Sequence, residues 1–427
     1  MKFQLKIKYK KILLSFIVLT FLLSSSAIFA DDIEYPEEVD SSIIETESEE
    51  IVETSSNKDK KLNLNSRSCI VYDRTNKQIL FGKNEYNKVK MASTTKIMTA
   101  IVVIEKGDLN RTIEVSKKAA NTGGSRLGLK TGDKVTVHDL LYGLMLCSGN
   151  DAAVALAEST AGSIADFSEL MNNKAQELGL ANSHFESPHG LDSDNHYTTA
   201  YELAKLSDYA LNNKTFSQIV GTKTYTATIN GNPKNLSNTN ELLGNLNGVY
   251  GIKTGFTNGA NRCLVTACKR NDMDIICVVL GADTKKFRTQ DSIKLIEYTF
   301  ENFKHINIED LINKEFEKWK SENSNTFSVN KGVNSDIQLE FSKLEYSIIA
   351  IKKGTSNDIN ISISIDKTLN APVKQSDIIG NIIITSGSDT LASTNVIIAN
   401  NIKKKNTIHY LYSILKDYNN LLYNISI

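Results

Sequence analysis

Strand-like runs at both ends of one central stretch, with helical segments between them, constrain this chain's fold more than any other feature. Ser68 to Tyr72 and Gln78 to Phe81 are short apolar runs flanking Asp73-Arg74-Thr75-Asn76-Lys77, and they read as a hairpin. At the far end, Val249 to Thr257, Arg262 to Lys269 and Ile275 to Leu280 read as three strands. The last pair is joined by the turn-type residues Asn271-Asp272-Met273-Asp274. Between these ends, Met91 to Ile104 lacks strand alternation, is too long for one strand and stops near Gly107. A buried helix starting at Ser93 is expected there. Asp139 to Cys147 and Asp151 to Ala161 are two further helical stretches. From Ser163 to Leu180, apolar Ile164, Phe167, Leu170, Met171, Ala175 and Leu178 recur at helical spacing. Asp291 to Phe303 closes the stretch as a helix. This order implies an α+β chain built as an α/β sandwich, not a doubly wound βαβ array.

Beyond residue 304 the pattern changes. Phe327 to Val329, Ile337 to Phe341, Tyr346 to Ile351, Ile359 to Ile365, Ile378 to Thr385 and Val396 to Ala399 are short β-rich runs between polar turns. They predict a small all-β domain over residues 304–400. The last segment, 401–427, begins with Lys403-Lys404-Lys405. Ile408, Leu411, Tyr412, Leu415, Tyr418, Leu422 and Ile425 then follow at helical spacing. A basic amphipathic helix suits a membrane surface, and packing on its own β-domain is an equal alternative.

The amino terminus is an address. Lys2, Lys6, Lys8, Lys10 and Lys11 precede an apolar run from Ile12 to Leu23, and then Ser24, Ser25, Ser26 and Ala27 follow. Charge, a short apolar run and small residues make a secretory signal peptide (1–30), with cleavage after Ala27 or Ala30. The run is short for a spanning helix. The body is therefore expected to be exported. Residues 31–61 are acidic and rich in Ser and Thr without periodicity, which predicts a disordered linker. Lys plus Arg and Asp plus Glu both number 49, so no basic excess points to a nucleic-acid partner. Five cysteines in 427 residues cannot form a dense disulfide scaffold.

Chemistry concentrates in three short elements. Ser93 and Lys96 are three residues apart, so on a helix both project to one side. A serine hydroxyl needs a base to take its proton, and a lysine serves only where burial or a nearby cation disfavours its ammonium. Apolar Ile97, Met98 and Ile101 supply such burial. Ser148-Gly149-Asn150 falls where two helices meet, offering a hydroxyl for proton relay and an amide for orienting a substrate. Lys253-Thr254-Gly255 lies on a predicted strand, where Gly permits close approach of a ligand backbone. An extended substrate can add to such a strand's edge. A second K-T-G, Lys130-Thr131-Gly132, precedes Ser148 and runs into a polar turn, so it reads as structural. The stretch Gly123 to Thr131 misses a phosphate-binding loop because Leu129 separates Gly128 from Lys130.

S-x-x-K, a Ser-containing tripeptide and K-T-G in this order form the signature of penicillin-binding proteins and class A β-lactamases. The chain resembles the D-alanyl-D-alanine carboxypeptidases, the low-molecular-mass penicillin-binding proteins. The likeness runs through Ala92 to Ala100, Ser148 to Ala153, His189-Gly190-Leu191-Asp192 and Gly251 to Thr257, and it covers roughly residues 62–303. The β-domain with Ala371-Pro372-Val373 and the amphipathic tail are similar to that family's carboxy-terminal half. Asn261 replaces a usual glycine and Tyr201 a frequent arginine.

The resemblance implies an antiparallel sheet with a helical region, and a reaction. Ser93 attacks a peptidoglycan stem peptide at its penultimate D-alanine, and Lys96 takes the proton. Ser148 relays protons and Asn150 orients the substrate. Lys253, Thr254 and Gly255 bind the terminal carboxylate region, and the backbone N–H groups of Ser93 and Phe256 hold the oxyanion. Arg288 matches a family arginine implicated in carboxylate recognition. β-Lactam antibiotics are expected as covalent inhibitors, membrane contact on the outer face through the tail, and no metal or other cofactor.

Class A β-lactamases need a glutamate in E-x-x-L-N between the second and third elements. None occurs there, and Glu309 to Asn313 falls too late. A transpeptidase or endopeptidase shares the same site, and a non-catalytic wall-binding protein is the alternative from another class. Cys147 reads as inert packing and His189 as a structural loop residue. Cys263, Cys268 and Cys277 lack zinc spacing.

Overall fold

A computed structural model describes residues 62–354 and 358–425. The expected export signal (1–30) and acidic linker (31–61) lie outside these residues. The described chain divides into two compact units, one of residues 62–72 with 79–299, the other of 73–78 with 300–425.

The first unit starts with β1 (Ser68–Asp73) and β2 (Ile79–Lys83), then a 3-10 turn, Ala92–Thr95, running into α1 (Lys96–Lys106). Next come β3 (Thr112–Glu114), α2 (Lys117–Ala120), β4 (Lys134–Thr136), α3 (Val137–Met145) and α4 (Asn150–Ala161). After α5 (Ile164–Glu177), α6 (Ala200–Leu211) and α7 (Lys214–Val220) comes the hairpin β5 (Thr224–Ile229) and β6 (Asn232–Ser237). The unit ends with β7 (Val249–Thr257), β8 (Asn261–Arg270), β9 (Met273–Ala282) and most of α8 (Lys285–Asn302).

One five-stranded sheet, in the order β2-β1-β9-β8-β7, joins the two ends of this stretch. The β1–β2, β7–β8 and β8–β9 pairings are antiparallel, as expected. β8 and β9 are central and almost wholly buried, which explains their near-continuous apolar sequence. Helix α1 is buried from Lys96 through Ile104 and ends at Gly107, which takes a positive φ of 77°. A helix covered on all sides needs no polar stripe, so Ile97 to Ile104 are nearly all apolar. Side-chain caps fix other starts: Thr136 accepts from Asp139 N–H, Ser163 from Asp166 N–H and Thr199 from Glu202 N–H.

The second unit begins at Phe300, slightly before the expected boundary. The reason is pairing: β10 (Phe303–Asn307) forms an antiparallel ribbon with Ile348–Lys352, and Lys353 N–H donates to Asn302 O. Helix α9 (Ile308–Asn323) follows. This helix stands where only strands are expected, although Asn307 caps it and Ile308, Ile312 and Phe316 recur at helical spacing. Those three side chains are buried against Leu339, Ile382, Ile384, Val396 and Ile398. The remaining strands are β11 (Ser328–Asn330), β12 (Leu339–Phe341), β13 (Ile348–Lys352), β14 (Ile359–Ile365), β15 (Thr368–Asn370), β16 (Ile378–Ser386) and β17 (Asp389–Ile398). A four-stranded sheet, β12-β17-β16-β14, carries the core. Helix α10 (Thr407–Ile425) closes the chain.

Phe316 is 2% exposed and lies near Trp319, the chain's one tryptophan, at 6.4 Å between ring centroids. A Phe316→Ala substitution is expected to destabilise this unit by about 3–5 kcal/mol. Urea unfolding followed by Trp319 fluorescence measures it, and a loss under about 1 kcal/mol contradicts the assigned core.

Candidate active site

Ser93 lies within the 3-10 turn, and its neighbour Ala92 adopts φ 48°, a left-handed conformation that a non-glycine residue holds only when its surroundings impose it. The impositions are visible. Thr94 Oγ1 donates to Met91 O and Thr95 Oγ1 to Ala92 O. Behind them, His196 Nδ1 accepts from Glu186 N–H at 3.0 Å, so its Nε2 carries the hydrogen. That Nε2–H donates to Thr95 Oγ1 at 2.7 Å.

Lys96 is fully buried. Its Nζ donates to Ser93 Oγ and Asn150 Oδ1, each at 2.7 Å, and to His189 O at 3.0 Å. A hydroxyl, an amide and a backbone carbonyl thus hold the amine, and none of these three oxygens is charged. They come from three separate stretches of chain, so the amine marks where those stretches meet.

The second element sits at the α3–α4 junction, as expected. Ser148 is 2% exposed with φ 60°. Asn150 opens α4, its backbone N–H donating to Ser125 O and its Nδ2 to Gly123 O. Asp151, quoted only as part of a motif, has a structural task. Its buried carboxylate accepts the backbone N–H groups of Leu127, Gly128 and Leu129 at 2.7–2.9 Å. The stretch that nearly matches a phosphate loop is therefore wrapped around a carboxylate of the protein itself. Lys130 N–H donates to Asp133 in the turn before β4, matching the structural reading of the first K-T-G.

The third element lies on β7, the free edge of the sheet. Lys253 is 1% exposed, and its Nζ donates to Thr254 O. Thr254 Oγ1 lies 2.7 Å from Thr239 Oγ1. A Cβ at Gly255 would sit 3.0 Å from Ser93 N and 3.1 Å from Thr94 N. Only glycine lets the edge strand lie this close to the Ser93 turn. The guanidinium of Arg262 stacks on the Phe256 ring at 3.7 Å.

His189-Gly190-Leu191-Asp192 braces two of the elements. His189 supplies the carbonyl for Lys96. Gly190 has φ +89°, and a Cβ there would collide with Ala92 O. Asp192 accepts from Thr257 Oγ1 and Gly259 N–H at the end of β7. Arg288 is fully buried on α8, and its Nη2 donates to Glu241 Oε1. Burial alone would raise the Glu241 carboxyl, but the Arg288 guanidinium and Thr289 hydroxyl outweigh it and hold it below its usual range. Cys147 donates to Gly143 O, and burial pushes its thiol up to about 11, so it stays protonated.

His196, Thr239 and Glu241 do not stand out in the sequence. Only contacts between distant residues reveal them, and no local pattern marks them.

A lysine-bound serine beside a free sheet edge, under a helical layer, is the arrangement of the penicillin-recognising serine enzymes. The family described as D-alanyl-D-alanine carboxypeptidase matches residues 53–284, and a second, described as penicillin-binding protein 5, C-terminal domain, matches residues 316–404. The D-alanyl-D-alanine carboxypeptidase DacF of Bacillus subtilis is 31% identical, over 83% of this chain and 90% of its own. DacC of Escherichia coli is 32% identical over 80% and 85%. Among solved structures, penicillin binding protein 5 from Haemophilus influenzae superposes with a TM-score of 0.66 at 27% identity, over 81% of this chain and 100% of that one. The Streptomyces K15 DD-transpeptidase gives 0.54 at 35% identity, over 57% and 99%. The chain belongs to the D-alanyl-D-alanine carboxypeptidase family.

Burial lowers two histidines, His189 to about 3 and His196 to about 4, from 6.5. Both folded values lie below the unfolded one, so the unfolded chain binds more protons as pH falls through this window. Their contribution to stability is complete above about pH 6.5 and declines toward pH 4, by up to about 1.4 kcal/mol per pH unit for each ring. Denaturant titrations from pH 7 to 4.5 should show that decline, with a shallower slope in His196→Gln. An unchanged slope in the variant contradicts the neutral-ring assignment.

Proposed function

We propose that the protein is a serine D-alanyl-D-alanine carboxypeptidase that trims peptidoglycan stem pentapeptides and is acylated by penicillins. The observation that carries this reading is the 2.7 Å contact between the buried Lys96 Nζ and Ser93 Oγ. As the uncharged amine, Lys96 keeps two N–H groups for Asn150 Oδ1 and His189 O, and its lone pair takes the Ser93 hydroxyl proton while Oγ bonds to the carbonyl carbon of the penultimate D-alanine. The C–N bond to the last residue then breaks, and Ser148 relays the proton from Lys96 to the departing amine. Water hydrolyses the Ser93 ester by the reverse relay. Asn150, already bonded to Lys96, orients the substrate amide. The backbone N–H groups of Ser93 and Phe256 hold the oxyanion, a position that the close approach at Gly255 supports.

Lys253 and Thr254 receive the substrate's terminal carboxylate on the β7 edge. Arg288, held by Glu241, contributes to carboxylate recognition. Saturating labelled penicillin should add one drug mass to the intact protein and none to Ser93→Ala. That variant should also lose at least about 10³-fold in pentapeptide hydrolysis. Turnover that survives in Ser93→Ala overturns the scheme, and product analysis with an added amine acceptor separates hydrolysis from transpeptidation.

The site of action follows from the tail. Among the described residues no helix is long and apolar enough to cross a membrane. On α10, however, Ile408, Leu411, Tyr412, Ile414, Leu415 and Tyr418 are each more than half exposed, and Lys403-Lys404-Lys405 precede them. Exposed apolar side chains behind a basic lead support interfacial binding on the outer face of the cytoplasmic membrane, after export. Vesicles containing anionic phospholipid should sediment the full chain and leave a variant lacking residues 406–427 in solution, with pentapeptide hydrolysis equal in both. Equal sedimentation of the two forms refutes this.

A further inference from the structure

The loop after β6 touches more of the catalytic apparatus than its sequence suggests. Thr239 is 5% exposed, and its backbone N–H donates to Leu146 O, two residues before Ser148. Its hydroxyl oxygen lies 2.7 Å from that of Thr254, in the third element. The loop is fixed on both sides of this residue. Asn238 Nδ2 donates to Thr222 O, and Asn240 Oδ1 accepts from Leu242 N–H. Glu241 is held on α8 by Arg288 and Thr289. Buried Leu242 and Leu243 complete the anchorage.

Two hydroxyls at this distance share one hydrogen, so only one of them donates to the other. If Thr254 donates to Thr239, its proton is engaged and Thr254 presents a lone pair to its surroundings. If Thr239 donates, the Thr254 proton is available for another acceptor. A carboxylate accepts hydrogen bonds and cannot donate them, so it selects the second arrangement.

We propose that Thr239 is a positioning residue for the substrate's terminal carboxylate: its hydroxyl donates to Thr254 and turns the Thr254 proton toward that carboxylate. The inference rests on the function proposed above and adds a residue to it. The Glu241–Arg288 pair sets the loop's position and thereby the direction of the Thr239 hydroxyl. Arg288 thus bears on carboxylate recognition through Glu241, Thr239 and Thr254.

The test compares two peptides that differ only at the last residue, one ending in a free carboxylate and one in a carboxamide. A carboxamide can itself donate to Thr254, so it needs no particular hydroxyl orientation. In Thr239→Val, kcat/KM for the acid is expected to fall about tenfold, mostly through KM, with the amide changed less than threefold. Thr239→Ser restores the hydroxyl and should return the acid to within about threefold of the unaltered protein. A general loosening of the loop would lower both substrates together and would not be rescued by serine, and that outcome overturns the proposal. So does an unchanged acid-to-amide ratio in Thr239→Val. Penicillin labelling of the unaltered protein is run alongside. Its failure refutes the carboxypeptidase reading itself, whereas labelling with an unchanged ratio refutes only the role of Thr239.

Discussion

The structure depends on the burial of one amine. Lys96 has no exposed surface, yet its Nζ must be hydrogen-bonded to be tolerated there. The three oxygens that satisfy it belong to Ser93, Asn150 and His189, residues far apart in the chain. Meeting that requirement brings the Ser93 turn, the α3–α4 junction and the 189–192 brace to one point. The same burial shields the Ser93–Lys96 contact from water, the condition under which a lysine can exchange protons with a hydroxyl. Stability and chemistry therefore draw on one arrangement.

Around that amine, carboxylates fasten irregular segments of chain. Asp151 gathers three consecutive N–H groups from the 127–129 stretch, Asp192 takes a hydroxyl and an N–H at the end of β7, and Glu241 fastens the 238–246 loop to α8. A carboxylate accepting from backbone N–H groups makes strong, directional bonds. Such bonds suit irregular segments, which lack the ladders that hold helices and sheets. Hydroxyl and amide side chains do similar work where Ala92 and Ser148 keep left-handed conformations: Thr94 and Thr95 bond back to Met91 O and Ala92 O, and Asn150 Nδ2 donates to Gly123 O. Each sits in a segment whose ends are fixed by side-chain bonds rather than by its own preference.

The three motifs were legible in the sequence because each is local. Ser93 and Lys96 share one turn, and Ser148 to Asn150 and Lys253 to Gly255 are contiguous. The sheet was legible too, since β8 and β9 are buried along most of their length and read as near-continuous apolar runs. What escaped were residues whose meaning lies in a distant partner. His196 bonds Thr95 across 101 residues, and Thr239 looks like any threonine until β7 is folded beside it. Helix α9 escaped for another reason. Its Ile308, Ile312 and Phe316 mark one face, but polar residues between them diluted the pattern beside neighbouring strands. Arg288 shows the converse limit. A family resemblance pointed to a charge, and the structure placed Glu241 against it.

The position of β7 carries the last step. A free sheet edge exposes unpaired backbone groups and normally invites unwanted pairing. Here the edge is restricted rather than covered. Gly255 brings its backbone against the Ser93 turn, and Asp192 and Thr239 bind the side chains of Thr257 and Thr254 on either side. An incoming strand must therefore present its reactive carbonyl near Ser93 and end close to Thr254. An extended peptide whose terminal carboxylate lies just beyond the scissile bond satisfies both conditions. The edge that elsewhere would be an aggregation hazard is held, by these fixed points, in one register beside Ser93.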